Sequence, residues 1–445
     1  MSGLDTTASF PHGSYESKES LSRADTHEDV TPNEIAVGVI IGRSSEYFDF
    51  FVFGIACVLV FPALLFPYLS KLDGTLMSFA IFSLAFVARP LGTALSMAVQ
   101  RRWGRATKLT LALFLLGVCT VGMAFLPSYQ QAGGNAIIVL ALLRIGQGIA
   151  LGGSWDGLPS LLAMSAPKNR RGWYSMMGQL GAPLGFVLAA GLFAFIYAHV
   201  GADEFLSWGW RYPFCVAFAI NVVALFARLR LVVGQSYTEL LQQRELEPMG
   251  VLPLMRDEGR NVVIGAFAAL ASFALFHLVT IFPLSWISLY SDQSVTHVLG
   301  VQIVGAFCAA AAIMVSGWLA DRVGRRNTLG TMACLIGIFS FLAPWLLGSG
   351  TTGNNVFIIV GFILLGLSYG QAAGTVTSNF PSRYRYTGAA LSSDMAWLVG
   401  AAFAPLVALG VSSRFGLVAL GIYLLSGALC TLAALGINRA IETRD

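Results

Sequence analysis

The chain has 445 residues, of which 56% are hydrophobic and only 11% are charged, and its mean hydropathy is +0.72. A soluble domain carries about 25% charged residues, so this composition excludes a soluble globular protein and indicates an integral membrane protein. The net charge of +4 is too small to favour nucleic acid as a partner.

Apolar runs along the chain predict twelve membrane-spanning helices, because a helix needs roughly 20 mostly apolar residues to cross a bilayer. Residues 1–34 are polar, lack an apolar signal-peptide core and are predicted to form a disordered cytoplasmic tail. The predicted spans are 35–64, 75–99, 107–127, 135–164, 173–199, 209–230, 261–290, 296–319, 328–348, 355–379, 386–411 and 415–438.

The longest polar interruption, residues 231–260, separates the first six spans from the last six. We therefore predict an all-α membrane protein of two six-helix bundles, 35–230 and 261–438, joined by a cytoplasmic loop and followed by a tail at 439–445. Most of the 27 Lys and Arg residues fall on one side of this arrangement. The positive-inside rule then predicts a multi-pass cell-membrane protein with both termini in the cytoplasm.

Two loops repeat between the halves. RRWGRATKL at 101–109 matches DRVGRRNTL at 321–329, and PKNRR at 167–171 is a weaker match to PSRYR at 381–385. Each member of a pair follows the corresponding predicted helix of its half. This pattern indicates two halves of parallel topology that arose by internal duplication.

The loop DRVGRR, at 321–326, and RIGQGIALGG, at 144–153, resemble signature motifs of the major facilitator superfamily. GRSSEYFDFFVFG at 42–54, ARPLG at 88–92 and FPSRYRYTGAAL at 380–391 more narrowly resemble the metabolite:proton symporter family. That family includes permeases for α-ketoglutarate, citrate, shikimate, and proline or betaine. The resemblance implies a two-bundle fold with alternating access, and proton-coupled symport of a small organic acid or zwitterionic metabolite.

Charged residues inside the predicted spans are the main functional candidates, because a charge at the bilayer centre costs at least about 2.5 kcal/mol. Arg43, Glu46 and Asp49 share one face of the first helix at i, i+3 and i+6 spacing. Two neighbouring carboxylates cannot both ionise cheaply, so we expect Glu46 or Asp49 to couple to protons. The alternative is a static pair of Arg43 and Glu46.

Three arginines are candidate substrate ligands, because a guanidinium binds a carboxylate through two parallel hydrogen bonds. They are Arg43, Arg89 and Arg144, and Gln147 follows the last of them on the fourth helix. A structural pair of Arg144 with Glu46 or Asp49 is the alternative for that residue. Arg89 precedes Pro90, so it would otherwise satisfy the backbone carbonyl that the proline frees.

Other candidates depart from the family or are less specific. Relatives tend to read GGEWGG where this chain reads GGSWDG, so Asp156 is a candidate substitute proton site. His277 is either a proton relay or a hydrogen-bonded core histidine. Asp394 suits a cationic or zwitterionic substrate or simple polar packing, and Trp286 and Tyr290 either stack on a ligand or pack.

The repeated loops are candidate gates, because the resemblance implies that the loop acid contacts the other half at the cytoplasmic face. The gating residues in the second half are Asp321, Arg322, Gly324, Arg325 and Arg326, and in the first half Arg101, Arg102, Gly104 and Arg105. Arg101 replaces the acid, and a positive charge repels the positive end of a helix dipole. We expect a weaker gate in the first half and a resting population shifted toward the inward-open state.

We expect protons and a small-molecule substrate as ligands, contact with membrane lipid, and function as a monomer. The six cysteines are scattered through apolar stretches, and we expect no metal, no cofactor and no enzymatic activity. A proton-coupled efflux antiporter of the same fold and a non-transporting metabolite sensor are the alternative functions.

Overall fold

The computed structural model describes residues 32–155, 157–232, 247–372 and 380–437, and the regular structure in these ranges is entirely helical. Asp156, a candidate proton-coupling residue, lies outside the described residues. Residues 32–232 are called the first half below, and residues 247–437 the second half.

The first half contains ten α-helices. They are α1 (Pro32–Leu59), α2 (Phe61–Leu65), α3 (Lys71–Ala124), α4 (Tyr129–Ala132), α5 (Gly134–Gly153), α6 (Leu158–Ser165), α7 (Arg171–Met176), α8 (Gly181–His199), α9 (Ala202–Glu204) and α10 (Arg211–Val232). Two 3-10 turns, Lys168–Arg170 and Met177–Leu180, flank α7, and a π-helical turn, Phe205–Gly209, follows α9.

The second half contributes nine α-helices to the described chain. They are α11 (Val251–Ala268), α12 (Leu270–Thr280), α13 (Phe282–Tyr290), α14 (Val295–Val323), α15 (Arg325–Gly348), α16 (Gly350–Tyr369), α17 (Ser382–Ala396), α18 (Ala404–Phe415) and α19 (Leu417–Ile437). A π-helical turn, Trp397–Ala402, joins α17 to α18.

The helices account for the twelve predicted spans. Ten stretches among the described residues are long and apolar enough to cross a membrane. One of them, α3, holds two spans joined at Gly104, which has a φ of 84°. The twelfth is α1, whose charged residues Arg43, Glu46 and Asp49 lower its apolar character. Gly324, the repeat partner of Gly104, has a φ of 87°, a conformation that favours glycine and bends both loops alike.

The fourth span is not the continuous helix predicted at 135–164. The α5 helix ends at Gly153 and α6 begins at Leu158, with Gly157 in the left-handed conformation at a φ of 80°. A Cβ atom on Gly157 would lie 2.5 Å from the ring of Tyr386, so the close approach of the second half also requires glycine here. The break leaves the carbonyl of Trp155 outside the helical ladder and available to side chains.

The start of the second half also differs from the prediction. The α11 helix begins at Val251, so the boundary predicted at residue 260 falls inside a helix. The Tyr384 hydroxyl donates to Asp257 Oδ2 at 2.5 Å, which joins the first turns of α11 to α17. Polar residues in these turns are therefore part of the folded bundle.

Aromatic rings fill the centre of the molecule where the halves meet. Phe51 of α1 stacks on Phe276 of α12 with ring centroids 5.7 Å apart, and Phe50 lies 6.0 Å from Trp397. The hydroxyl of Tyr47 hydrogen-bonds to the hydroxyl of Tyr369 across the same interface. These rings are buried, so they separate the two membrane faces of the interface.

Glycines bring α3 and α5 into backbone contact. A Cβ atom on Gly148 would lie 2.2 Å from the Ala85 carbonyl oxygen, and one on Gly152 equally close to the Arg89 carbonyl oxygen. Backbone atoms cannot move aside as a flexible side chain can. Small residues at such spacing are typical of close helix pairs in membranes.

We predict that Gly152→Ala lowers the thermal stability of the purified protein by several degrees, because overpacking a tight contact costs about 1–3 kcal/mol. Gly191→Ala on α8 is the matched control, since a Cβ atom there meets nothing within 4 Å. Thermal unfolding in detergent measures both variants. Equal midpoints for the two would contradict the packing described here.

Candidate transport site

A cavity lies between the two halves, lined by residues of α1, α3, α5, α6, α10 and α17. Its described lining contains five charged side chains: Arg43, Glu46, Arg89, Arg228 and Asp394. Four of these residues were predicted as functional candidates from the sequence. Among the described lining residues, three guanidinium groups accompany two carboxylates.

Glu46 is the centre of the first charge cluster. Its carboxylate accepts from Arg43 Nη1 at 3.0 Å, from Arg228 Nη1 at 2.7 Å and from the Ser154 hydroxyl at 3.1 Å. Arg43 lies one helical turn before Glu46, whereas Arg228 reaches it from α10. Buried charges need such partners, because each costs several kcal/mol to remove from water.

Arg228 is a site residue that the sequence interpretation missed. Its position near the end of the sixth span placed it among the charges of the cytoplasmic side, but its residue is 6% exposed and it is bound to Glu46. Ser154, at the end of α5, also contacts Glu46. The family resemblance implies an acid at this position, so the hydroxyl leaves Glu46 as the carboxylate of this cluster among the described residues.

A second charge pair joins the halves across the cavity. Arg89 Nε of α3 donates to Asp394 Oδ1 of α17 at 2.6 Å, and the Thr93 hydroxyl donates to Asp394 Oδ2. Both side chains are buried: that of Arg89 is 11% exposed and that of Asp394 is 4% exposed. Arg89 therefore has a carboxylate partner, and the predicted contact with the carbonyl freed by Pro90 is not needed to explain it.

Asp49 and Arg144 belong to a separate polar network inside the first half. The Thr120 hydroxyl donates to Asp49 Oδ1 at 2.9 Å, and Gln147 Nε2 donates to Asp49 Oδ2 at 3.2 Å. Arg144 Nη1 donates to Gln147 Oε1 at 2.9 Å and its guanidinium lies 4.0 Å from the centre of the Phe53 ring. Asp49 is not part of the cavity lining.

The direct pair predicted for Arg144 is not formed. Among the described residues, Arg144 has no carboxylate oxygen within 4 Å of its side-chain nitrogens, because Gln147 lies between it and Asp49. Its buried Nη2 atom likewise has no hydrogen-bond partner in the described part of the chain. Aromatic rings of Phe53 and Phe82 contact the guanidinium instead.

His277, Trp286 and Tyr290 lie apart from the cavity lining. His277 is fully buried and its ring lies 5.2 Å from that of Phe50, but neither ring nitrogen has a hydrogen-bond partner in the described ranges. His277 is therefore a core residue whose ring packs against aromatic side chains, and the hydrogen bond expected of a core histidine is absent from the described contacts. The rings of Trp286 and Tyr290 on α13 contact each other in a tilted arrangement with centroids 4.3 Å apart, and Tyr290 is 51% exposed.

The family of the chain follows from comparison with known proteins. The sequence model of the Major Facilitator Superfamily matches residues 50–405. An inner membrane metabolite transport protein of Escherichia coli is 34% identical over 434 residues, which cover 94% of this chain and 97% of that protein. The chain belongs to the major facilitator superfamily. It is a multi-pass membrane transporter of metabolites and not an enzyme.

Other relatives of this transporter have narrower names. A shikimate transporter of Escherichia coli is 31% identical over 90% of this chain and 92% of that protein. A proline/betaine transporter of Salmonella typhimurium is 26% identical over 91% and 82%. The crystal structure of a D-xylose-proton symporter shares the fold with a TM-score of 0.66 and 17% identity, over 89% of this chain and 96% of that one.

Asp321, the predicted gating acid of the second half, contacts the first half of this transporter. Its carboxylate oxygens accept from the backbone N–H groups of Gly172 at 2.6 Å and Trp173 at 3.1 Å, at the start of α7. Arg325 Nη2 donates to the Ser175 hydroxyl at 3.2 Å. The acid of one half therefore binds the first turn of a helix of the other, where free N–H groups are available.

The remaining arginines of the two loops differ in their contacts and exposure. Arg326 donates to the carbonyl of Leu435 within its own half, and Arg322 packs on the Trp318 ring at 4.0 Å. Arg101 and Arg102 are exposed, and Arg102 lies 5.5 Å from the Trp103 ring. Arg105 is half-buried. Among the contacts of the described residues, that of Asp321 is the one that the resemblance implies.

A buried lysine in the repeated segment of the first half also links the two halves. Lys108 is 1% exposed, and its ammonium donates to the Trp155 carbonyl and to the Tyr386 hydroxyl, the latter at 3.2 Å. The Tyr386 hydroxyl also donates to Gln100 Oε1 at 3.2 Å. The sequence interpretation counted Lys108 as an ordinary cytoplasmic charge. Its position three residues after Arg105, inside the next apolar run, was the sequence feature that indicated burial.

We predict that Glu46→Gln destabilises the protein by about 3 kcal/mol, because it leaves two guanidinium groups without their shared carboxylate. Arg228→Gln should also destabilise, and the double variant should lose less than the sum of the two single losses. Denaturant unfolding in detergent measures the free energies of this cycle. Asp292→Asn, at an exposed position, is the control for a lost charge, and additive losses in the cycle would contradict the coupling.

Proposed function

We propose that this transporter is a proton-coupled symporter that takes up a small organic acid or zwitterionic metabolite by alternating access. Both termini and the loops 101–105 and 321–326 would then lie on the cytoplasmic side. The substrate would bind in the charged cavity, and the proton would bind in the buried network around Asp49. The separation of these two charge systems is the observation that carries the proposal.

Asp49 suits a proton carrier better than Glu46 because of the partners of each. Thr120 and Gln147 are neutral donors, and no side-chain nitrogen of a described Lys, Arg or His lies within 4 Å of the Asp49 carboxylate. Protonation of Asp49 therefore breaks no ion pair. Protonation of Glu46 would remove the carboxylate that Arg43 and Arg228 share, which is costly in a buried site.

The cavity suits a small molecule that carries a carboxylate. Its described lining has three guanidiniums, and a guanidinium binds a carboxylate through two parallel hydrogen bonds. Glu46 and Asp394 offer partners for an amine, so a zwitterion also fits. The names of the shikimate and proline/betaine transporters are consistent with either class.

Contacts between the halves on both sides of the cavity support alternating access. Asp321 binds the start of α7 on the proposed cytoplasmic side. Lys71 Nζ donates to the Ser288 carbonyl at 2.8 Å on the other side, where α3 meets α13. Each contact joins one half to the other, so opening toward either face requires breaking one set while the other is kept.

We predict that purified protein in liposomes accumulates one of a panel of labelled carboxylates and zwitterions when an inward proton gradient is imposed. A protonophore should abolish the accumulation. Asp49→Asn should also abolish gradient-driven accumulation, because an amide cannot carry the proton, and it should leave substrate binding in detergent within about threefold of the wild type. The panel contains shikimate, α-ketoglutarate, citrate, proline and glycine betaine.

Asp203→Asn, at an exposed position in α9, is the matched control and should accumulate substrate normally. Accumulation that persists with the protonophore would rule out proton symport. Proton-driven export of the panel compounds would establish the antiporter. Binding of a panel compound without movement in either direction would establish the sensor.

We predict that Arg101→Asp closes the cytoplasmic gate of the first half more tightly, because a carboxylate can accept from helix N-terminal N–H groups and Arg101 cannot. A cysteine at Gly38, which lines the cavity, is labelled with a membrane-impermeant maleimide from the cytoplasmic side in a background without the native cysteines. Arg101→Asp should lower the labelling rate several-fold. Arg101→Gln is the control for loss of the positive charge, and an unchanged rate in Arg101→Asp would refute a gating role for this position.

A further inference from the structure

One ion pair among the described residues differs from the others in that it joins the two halves. Among the described residues, three salt bridges are present, and two of them join Glu46 to Arg43 and Arg228 within the first half. Of these three pairs between described residues, the pair of Arg89 and Asp394 is the one that joins the halves, and both residues line the charged cavity. The cavity is thus closed by a charge interaction that includes one of its own candidate ligand-binding groups.

Asp394 is held as a specific partner of Arg89. One carboxylate oxygen accepts from Arg89 Nε at 2.6 Å and the other accepts from the Thr93 hydroxyl, one turn further along α3. Asp394 is 3% exposed and reaches these groups from α17, three residues before the π-helical turn that begins at Trp397. The Arg89 guanidinium lies 6.0 Å from the centre of the Trp397 ring.

We propose that Asp394 is an internal counter-ion that takes the place of the substrate carboxylate on Arg89 when the cavity is empty. A substrate carboxylate would displace Asp394 from Arg89, so the substrate is an anion at this position. This assignment rests on the proposed function, because it defines which class of substrate the transport cavity accepts.

The physical reason is the cost of closing the two halves over an unpaired guanidinium. A transporter that accumulates substrate must return empty, and the empty cavity must then pass through a state closed to water. An unpaired Arg89 would be costly in that state, since losing one partner of a buried ion pair costs about 3–5 kcal/mol. Asp394 removes this cost in the empty state, and the substrate removes it in the loaded state.

Asp394→Asn should therefore separate two transport modes. Net uptake requires return of the empty carrier, and it should fall at least tenfold. Exchange of external labelled substrate for internal unlabelled substrate requires only the loaded carrier, and it should stay within about threefold of the wild type. Equilibrium binding in detergent should tighten at least tenfold, because the substrate carboxylate no longer competes with Asp394.

The first probe is radiolabelled shikimate, a monoanion, and its uncharged methyl ester is the charge control, whose binding should not tighten in Asp394→Asn. If the wild type does not bind shikimate, the other monocarboxylates of the panel are tested in the same way. Asp321→Asn is the matched variant, because it also removes a carboxylate contact between the halves but lies outside the cavity. Tightening of shikimate binding in Asp321→Asn equal to that in Asp394→Asn would show that loosened closure is responsible, and would overturn the assignment.

The remaining outcomes separate this inference from the proposed function. Equal loss of net uptake and exchange in Asp394→Asn, with unchanged shikimate affinity, overturns the counter-ion role and leaves proton symport intact. Net uptake that persists but loses its protonophore sensitivity makes Asp394 a proton carrier and likewise overturns the inference. If the wild type binds shikimate but shows no gradient-driven uptake, proton symport is wrong, and the binding comparison alone decides the role of Asp394. Failure of every monocarboxylate to bind overturns the inference.

Discussion

The cost of an unpaired charge away from water governs the organisation of this transporter. The described first half places Arg43, Glu46, Arg89 and Arg228 in or beside the cavity, and each has an oppositely charged partner within 3.0 Å. Such pairs contribute little net stability, because their mutual attraction roughly offsets their desolvation. Their value is that they can be exchanged. A pair that is nearly neutral in energy can be broken by a ligand that supplies an equivalent charge.

The break between α5 and α6 is the local feature that makes this arrangement possible. A continuous helix would satisfy the carbonyl of Trp155 internally and would place a Cβ atom against Tyr386. Because the chain turns at Gly157, Ser154 contacts Glu46 and the Trp155 carbonyl accepts from Lys108. One short non-helical segment therefore connects the charged cavity to the contact between the halves. A change in the cavity has a direct structural route to the closure of that face.

The sequence allowed the fold to be predicted in large part, because membrane spans depend on apolar length and charge bias, and both are local properties. The all-α class, the twelve spans and the repeated loops with Gly104 and Gly324 were predictable for that reason. The break at Gly157 was not, since GGSWDG is compatible with a helix until the contact with Tyr386 is known. The start of α11 was misjudged because its first turns are polar and largely exposed, so the sequence does not distinguish them from a loop.

The candidate site was predicted in its components but not in its connections. Intramembrane charge identified Arg43, Glu46, Arg89 and Asp394, but the pairing of Arg89 with Asp394 depends on how two distant helices pack. Arg228 and Lys108 were assigned to the membrane surface because each lies near a span end, where burial depends on neighbouring helices. Gln147 was identified as a neighbour of Arg144, whereas its place between Arg144 and Asp49 required the structure.

The contacts that join the halves at the two repeated loops differ in chemistry. In the second half the carboxylate of Asp321 binds backbone N–H groups at the start of α7. In the first half the ammonium of Lys108 binds a backbone carbonyl at the end of α5 and the Tyr386 hydroxyl of α17. The polarity is reversed: an anion meets the amino end of a helix in one case, and a cation meets the carboxyl end of a helix in the other. Both arrangements agree with the direction of the helix dipole, so the loss of the acid at Arg101 has a physical counterpart in the burial of Lys108.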